Sequence, residues 1–194
     1  AFQLFSYGDF KLRPSRGEIM TAVSADVLDG FYPVSEDIKK LSLASYLADI
    51  TYTLLGEANP DKRMLALFLN AVYASSYKEV DLLKLKAVYE LKLMSIGGYM
   101  PKLDVCSVCG GVGEYFSPER GTLVCRHHQM AGDTRTDDAL VSLMRYISGC
   151  EDRKMLSFTV NDKALIERLN KITEKYVALH CDSEFKSLAY FYNI

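Results

Sequence analysis

The chain has 194 residues, 23 of them basic and 25 acidic, for a formal net charge of -2, and its 49% apolar and 25% charged residues are the proportions of an ordinary globular protein. Near charge balance excludes a protein coated in basic charge, so any contact with nucleic acid has to come from a local patch. No run approaches the roughly 18 apolar residues of a membrane span and no signal-peptide pattern opens the chain, so a soluble, cytoplasmic protein without membrane contact is expected.

Residues 1 to 23 read as β structure. Ala1-Phe2-Gln3-Leu4-Phe5 looks like the middle of a strand. Phe10 and Leu12 then alternate with Lys11 and Arg13, Pro14-Ser15-Arg16-Gly17 supplies a turn, and Glu18 to Val23 returns. Two or three strands cannot close a barrel, so the stretch is expected to be the end of a larger β domain whose beginning lies upstream. Lys11 and Arg13 point the same way along one strand, with Arg16 in the turn beside them. Such a face suits a nucleic-acid backbone.

The middle is helical. Ser35 is a candidate N-cap for a helix whose first turn carries Glu36 and Asp37, at the positive end of the helix dipole. Leu41, Leu43, Leu47, Ile50, Leu54 and Leu55 spread around that helix, which places it inside a bundle. Asn59-Pro60 is a second start signal, and Leu65, Phe68, Leu69 and Val72 form the expected buried stripe. A third helix is expected from about Glu79 to Ile96, ending at Gly97-Gly98. Lys78, Lys84, Lys86 and Lys92 cluster in and before it. Lys84 and Lys92 are eight residues apart and share roughly one face, a candidate partner-binding site for phosphates or for an acidic peptide; a solvated helix face is the plainer reading.

Prolines, glycines and cysteines then replace helical periodicity. Cys106-Ser107-Val108-Cys109 is followed, after fifteen residues, by Cys125-Arg126-His127-His128, which reads C-x2-C-x15-C-x2-H. Two residues between ligands let a tight turn aim both side chains at one ion, and thiolate with imidazole suits zinc. Cys106, Cys109, Cys125 and His128 are the expected ligands of one structural zinc; His127 is the alternative fourth ligand. The segment has little apolar material of its own, so the metal is expected to staple it. Five cysteines, an odd number with three between 106 and 125, argue against a disulfide framework.

Beyond the segment, Thr136-Asp137-Asp138 caps a helix through Leu140, Leu143, Met144 and Ile147, ending at Gly149. Leu156 to Val160 reads as a short strand or an extended connector. Asn161-Asp162 opens a helix with Leu165, Leu169, Ile172, Tyr176 and Leu179 along one face.

No catalytic role is expected. Four protein ligands close the zinc shell, and no histidine precedes Cys106, so the H-x-E…P-C-x-x-C pattern of zinc deaminases cannot be built. The phosphate-binding and nucleophile-elbow motifs are absent. His180 and Cys181 are adjacent on a helix, about 100° apart, which is poor geometry for a nucleophile and its base. Cys150, after a glycine at a helix end, reads as packing.

Several of these stretches together resemble the bacterial RecO family of DNA repair and recombination proteins. The resemblance rests on Tyr89-Glu90-Leu91-Lys92-Leu93-Met94-Ser95-Ile96-Gly97-Gly98-Tyr99-Met100-Pro101 and on Leu103-Asp104-Val105-Cys106-Ser107-Val108-Cys109-Gly110. Tyr115-Phe116-Ser117-Pro118-Glu119-Arg120-Gly121, Leu123-Val124-Cys125-Arg126, Lys40 to Asp49 and Phe185-Lys186-Ser187-Leu188 extend it over most of the chain. His128 stands where that family usually has a cysteine, and some members lack the cysteines altogether.

The resemblance implies an N-terminal OB-fold, a helical domain and a zinc-finger-like insertion. Here that means the terminal strands of an incomplete OB-fold at residues 1–30, a mainly α helical bundle at 31–100 and 136–194, and the insertion at 101–135. The function implied is a mediator that binds single- and double-stranded DNA and anneals complementary strands. With RecR it helps load RecA onto DNA covered by single-stranded DNA-binding protein (SSB), whose acidic C-terminal tail it contacts; this would place it at the bacterial nucleoid during repair. Lys11, Arg13 and Arg16 are the expected DNA-facing residues. The alternative is a zinc-stapled protein-interaction module without DNA activity.

Overall fold

The computed structural model describes residues 3–15, 19–56, 60–160 and 162–194. Strands β1 (Tyr7–Pro14) and β2 (Met20–Asp29) pair antiparallel, with register shifts at Tyr7/Gly8 and Lys11/Leu12. Leu12, Ile19, Met20, Val23 and Leu28 are exposed along this hairpin. Its base is tied down: Asp29 Oδ1 accepts from Phe31 N–H and from Tyr77 Oη–H, each at 2.8 Å. Phe31 then packs with Val34, Ala44 and Val72.

Aspartates start the bundle helices. Asp37, Asp61, Asp81, Asp137 and Asp162 cap α2 (Ile38–Leu55), α3 (Lys62–Tyr77), α4 (Leu82–Ile96), α5 (Asp138–Gly149) and α6 (Lys163–Cys181), after a one-turn α1 (Tyr32–Ser35). Each carboxylate accepts backbone N–H groups of the first turn that would otherwise be unpaired. Ser35 is therefore not the cap expected: it is held in the helical backbone of α1, while Asp37 has the extended conformation a cap needs. Asn59, the other expected start, lies outside the described residues, as does Asn161. The third helix begins at Leu82 rather than near Glu79.

Helix α4 is the axis of the bundle. Every residue from Leu85 to Met94 is buried, with α2, α3, α5 and α6 packed around it. Three of those residues, Lys86, Glu90 and Lys92, are charged. Lys86 and Glu90 are fully buried and pair at 2.9 Å one turn apart. Glu90 also accepts from Tyr46 Oη (2.5 Å) and Thr173 Oγ1 (2.6 Å), and Lys86 reaches Glu174 at 3.1 Å. Ion pairing outweighs the desolvation that opposes a buried ammonium, so Lys86 holds its proton more firmly than usual.

The stripes differ from expectation at two leucines. In α3 Val72 is buried as expected, together with Met64, Leu67, Ala71 and Ala74, and Leu65 is exposed; in α6 Leu179 is exposed. Leu156 to Val160 is the connector, following a single 3-10 turn at Asp152–Lys154. A final helix, α7 (Lys186–Asn193), lies on α2 and buries Phe191. Among the described residues no helix is long and apolar enough to cross a membrane.

Candidate metal centre

The insertion between α4 and α5 is built on three short strands in the order β4 (Thr122–Val124), β3 (Tyr115–Ser117), β5 (Thr134–Arg135), all antiparallel to β3. It is not without a core, contrary to its composition. Leu103, Phe116 and Leu123 are buried in the same cluster as the bundle helices, and Phe116 meets Tyr176 of α6 edge-on at 5.5 Å. The alternation of a three-residue strand sends Phe116 inward between Tyr115 and Ser117, so the helices supply the apolar environment the segment lacks. Gly121 fits because its φ is +61° and a Cβ there would come within 2.7 Å of Tyr176 Oη. Tyr176 Oη itself donates to Tyr99 O at 2.7 Å.

Two tight turns carry the cysteines. Gly110, at φ +73°, closes the first: its N–H donates to Cys106 O at 2.9 Å, and Cys106 N–H donates to Gly111 O at 2.8 Å. In the second, His128 N–H donates to Cys125 O at 3.0 Å. The turns bring the sulfur atoms of Cys106, Cys109 and Cys125 and a ring nitrogen of His128 within 4.8 Å of one another. Cys109 Sγ is 3.8 Å from Cys125 Sγ, and His128 Nδ1 is 3.3 Å from Cys125 Sγ and 3.6 Å from Cys106 Sγ.

These spacings match a tetrahedral ion. Metal–sulfur bonds of ~2.3 Å and metal–nitrogen bonds of ~2.0–2.1 Å give sulfur–sulfur edges of about 3.8 Å and sulfur–nitrogen edges of about 3.5 Å. The four side chains form a site able to hold a metal ion with all four positions filled by protein. Cys106 and Cys125 are buried, Cys109 is exposed and His128 is half-buried. At Cys106, desolvation opposes ionisation, but backbone N–H groups of Cys109, Cys125 and Val108 outweigh it and hold the thiol down at about 5. His127 stays outside the cluster and is exposed. Arg120 locks the following loop: Nε donates to Ser117 Oγ (3.2 Å), and Nη2 donates to His128 O (3.0 Å) and pairs with Asp133 (3.2 Å).

The other residues singled out by sequence fall in different places. Lys11 and Arg13 are exposed on β1, with a register shift immediately after Lys11; Arg16 lies outside the described residues. Lys84 and Lys92 do not share a surface. Lys92 is buried, its ammonium spent on the carbonyl of Cys150 and on Asp152 at 3.3 Å, because α4 is enclosed on all sides. Asp152 is in turn held by Arg63 at 2.8 Å. The i,i+4 spacing of Lys86 and Glu90 in a mostly apolar helix was the available signal that these two charges pair inside.

Lys84 is half-buried, donates to Phe158 O at 2.6 Å and sits 4.1 Å above the Phe158 ring. Burial lowers its pKa. It lines a groove of about 590 Å³ together with Lys78, Arg153, Tyr73, Met155 and Phe158. At the far end of α6, His180 Nε2 lies 3.0 Å from Pro118 O and its ring packs on Tyr99 and Tyr176. Cys181 is not activated: burial pushes its thiol up to about 11.

Residues 35–189 match the family model described as recombination protein O C terminal. The chain is 30% identical to the DNA repair protein RecO of Alkaliphilus metalliredigens over 194 residues, covering 96% of this chain and 77% of that protein. Similarity to the DNA repair protein RecO of Acetivibrio thermocellus is 28% over 191 residues, 96% of this chain and 75% of the relative. With the protein of the same description from Rubrobacter xylanophilus it is 33% over 126 residues, 63% and 50% of the two chains.

Proposed function

Because this chain belongs to the recombination protein O C-terminal family and so to DNA repair and recombination, we propose that it works as a recombination mediator that binds and makes no chemical bond. In this reading it binds single- and double-stranded DNA and anneals complementary strands. With RecR it helps load RecA on DNA coated by SSB. The observation that carries the proposal is the extent of the family match, which spans the bundle and the cysteine segment together rather than the metal motif alone.

The parts take distinct roles. Residues 1–30 contribute the last strands of an OB-fold; the exposed apolar residues on the β1–β2 hairpin suit a piece of a larger sheet. Residues 31–100 and 136–194 form the helical domain, and 101–135 the finger. Cys106, Cys109, Cys125 and His128 hold one zinc, which supplies fold to the finger and leaves no open position for a reaction. Lys11 and Arg13, exposed on β1, face DNA.

The SSB tail, acidic with an apolar end, is assigned to the groove beside Lys84, where Lys78 and Arg153 supply further cations near Met155 and Phe158 and the wall also carries Glu79, Asp81 and Asp152. Fluorescence anisotropy of a labelled tail peptide tests this. Binding in the micromolar range that weakens with salt is expected, with Lys84→Glu weakening it about tenfold or more. Wild-type binding unchanged in Lys84→Glu would remove the groove from the account. No binding at either salt would favour a protein-interaction module with another partner.

A further inference from the structure

The finger spends its cations unevenly. Arg120 is consumed inside the fold by Ser117, His128 O and Asp133. Arg126 and Arg135 are exposed, and among the described residues neither guanidinium has a hydrogen-bond or ion-pair partner. Both line one concavity of about 500 Å³, with Tyr115, His127, Gln129 and Glu114 completing its wall. Glu114 is its one carboxylate, and Glu114 Oε2 is already taken by the Arg126 backbone N–H at 3.1 Å.

Two unpaired guanidiniums facing the same hollow repel each other, and an anion that enters relieves both. The planar fork of each matches phosphate oxygens in a bidentate way that an ammonium does not. Gln129 and His127 add further side-chain donors. Tyr115 contributes something different: it packs on Cys106, Val124 and Cys125 and also borders the concavity, an aromatic ring held rigid from behind. Phosphate donors beside a fixed ring are the pairing that holds single strands, with a base stacked and its backbone clamped. A hollow of this size takes a splayed nucleotide, not the flank of a duplex.

We propose that the concavity between Arg126 and Arg135 is a binding site for the backbone of single-stranded DNA. The proposal rests on the DNA-binding reading above and places a DNA contact on the finger as well as on β1. It also gives the cysteine cluster a positional role. Arg126 and His127 lie between Cys125 and His128, so the metal ligands fix the segment that presents them.

The test is titration of a fluorescein-labelled oligothymidylate with the full chain over a series of salt concentrations. Arg126→Gln and Arg135→Gln should each lower the steepness of the log affinity against log salt plot by about 0.7, and the double variant by about 1.4. Lys62→Gln, which removes one exposed charge from α3, should leave the slope unchanged. All three side chains are exposed, so the variants keep the wild-type thermal midpoint. Wild-type binding with slopes unchanged in both arginine variants would overturn the finger site and leave the DNA reading with β1. Equal loss in Lys62→Gln would show charge at a distance and overturn it too. Absence of any wild-type binding at low salt would remove the DNA reading itself, and the site with it.

Discussion

The bundle and the finger are held together by different means. Around α4 an apolar shell is continuous, and it is deep enough to enclose Lys86, Glu90 and Lys92 with every charge paired. The finger has three strands of two or three residues and two cysteine turns, and its outer half has no apolar centre beyond Cys106, Val124, Cys125 and Tyr115. Its inner half is different again: Leu103, Phe116 and Leu123 belong to the bundle's core. The finger is thus anchored at its base by burial, and at its tip two turns converge on four side chains able to hold a metal ion. A small insertion needs a staple only where it leaves the shelter of its neighbours.

The sharpest way to break this division is at the shared base. Phe116→Ala removes a fully buried ring that packs on Tyr176, and a loss of about 3–5 kcal/mol is expected. Because the ring serves both regions, the thermal midpoint of the bundle should fall as well, measured by the helical circular-dichroism signal. A fall confined to the finger would show that its base is not part of the common core.

A smaller effect separates the bundle's own electrostatics. The hydrogen bond from Arg63 holds Asp152 below the usual carboxylate range; desolvation opposes it, and Lys92 adds to it. The folded state therefore releases this proton more readily than the unfolded chain. The contribution is present above the ordinary carboxylate pKa and is lost as pH falls through the lower, folded value. Denaturant titrations across that acid range should show a shallower loss of stability in Asp152→Asn than in the wild type. Identical pH profiles would mean that Asp152 contributes nothing through its charge.

Much of this was legible in the chain, for reasons that can be named. The C-x2-C-x15-C-x2-H spacing announced the four side chains that meet, because ligand reach is a local property of two turns. The short α1 and α7 were not foreseen, but helices α2 to α6 were legible too, to within a few residues. Their starts were misread where serine or asparagine competed with aspartate: the backbone at Ser35 is already helical, which no cap preference reveals. Lys92 was misplaced because eight-residue spacing defines a face without saying what lies over it. Only the packing of four helices around α4 shows that this face is inside. The finger's base was missed for a related reason, since Phe116 finds its partners in α6, about sixty residues along the chain.

Hydrogen exchange measured by mass spectrometry on the full chain, before and after metal chelation, tests the division most directly. The account predicts that peptides covering Cys106–Gly111 and Cys125–Asp133 lose protection on chelation while those in α2, α4 and α6 keep theirs. Unchanged exchange in the cysteine turns, or an equal loss throughout the helices, would contradict it.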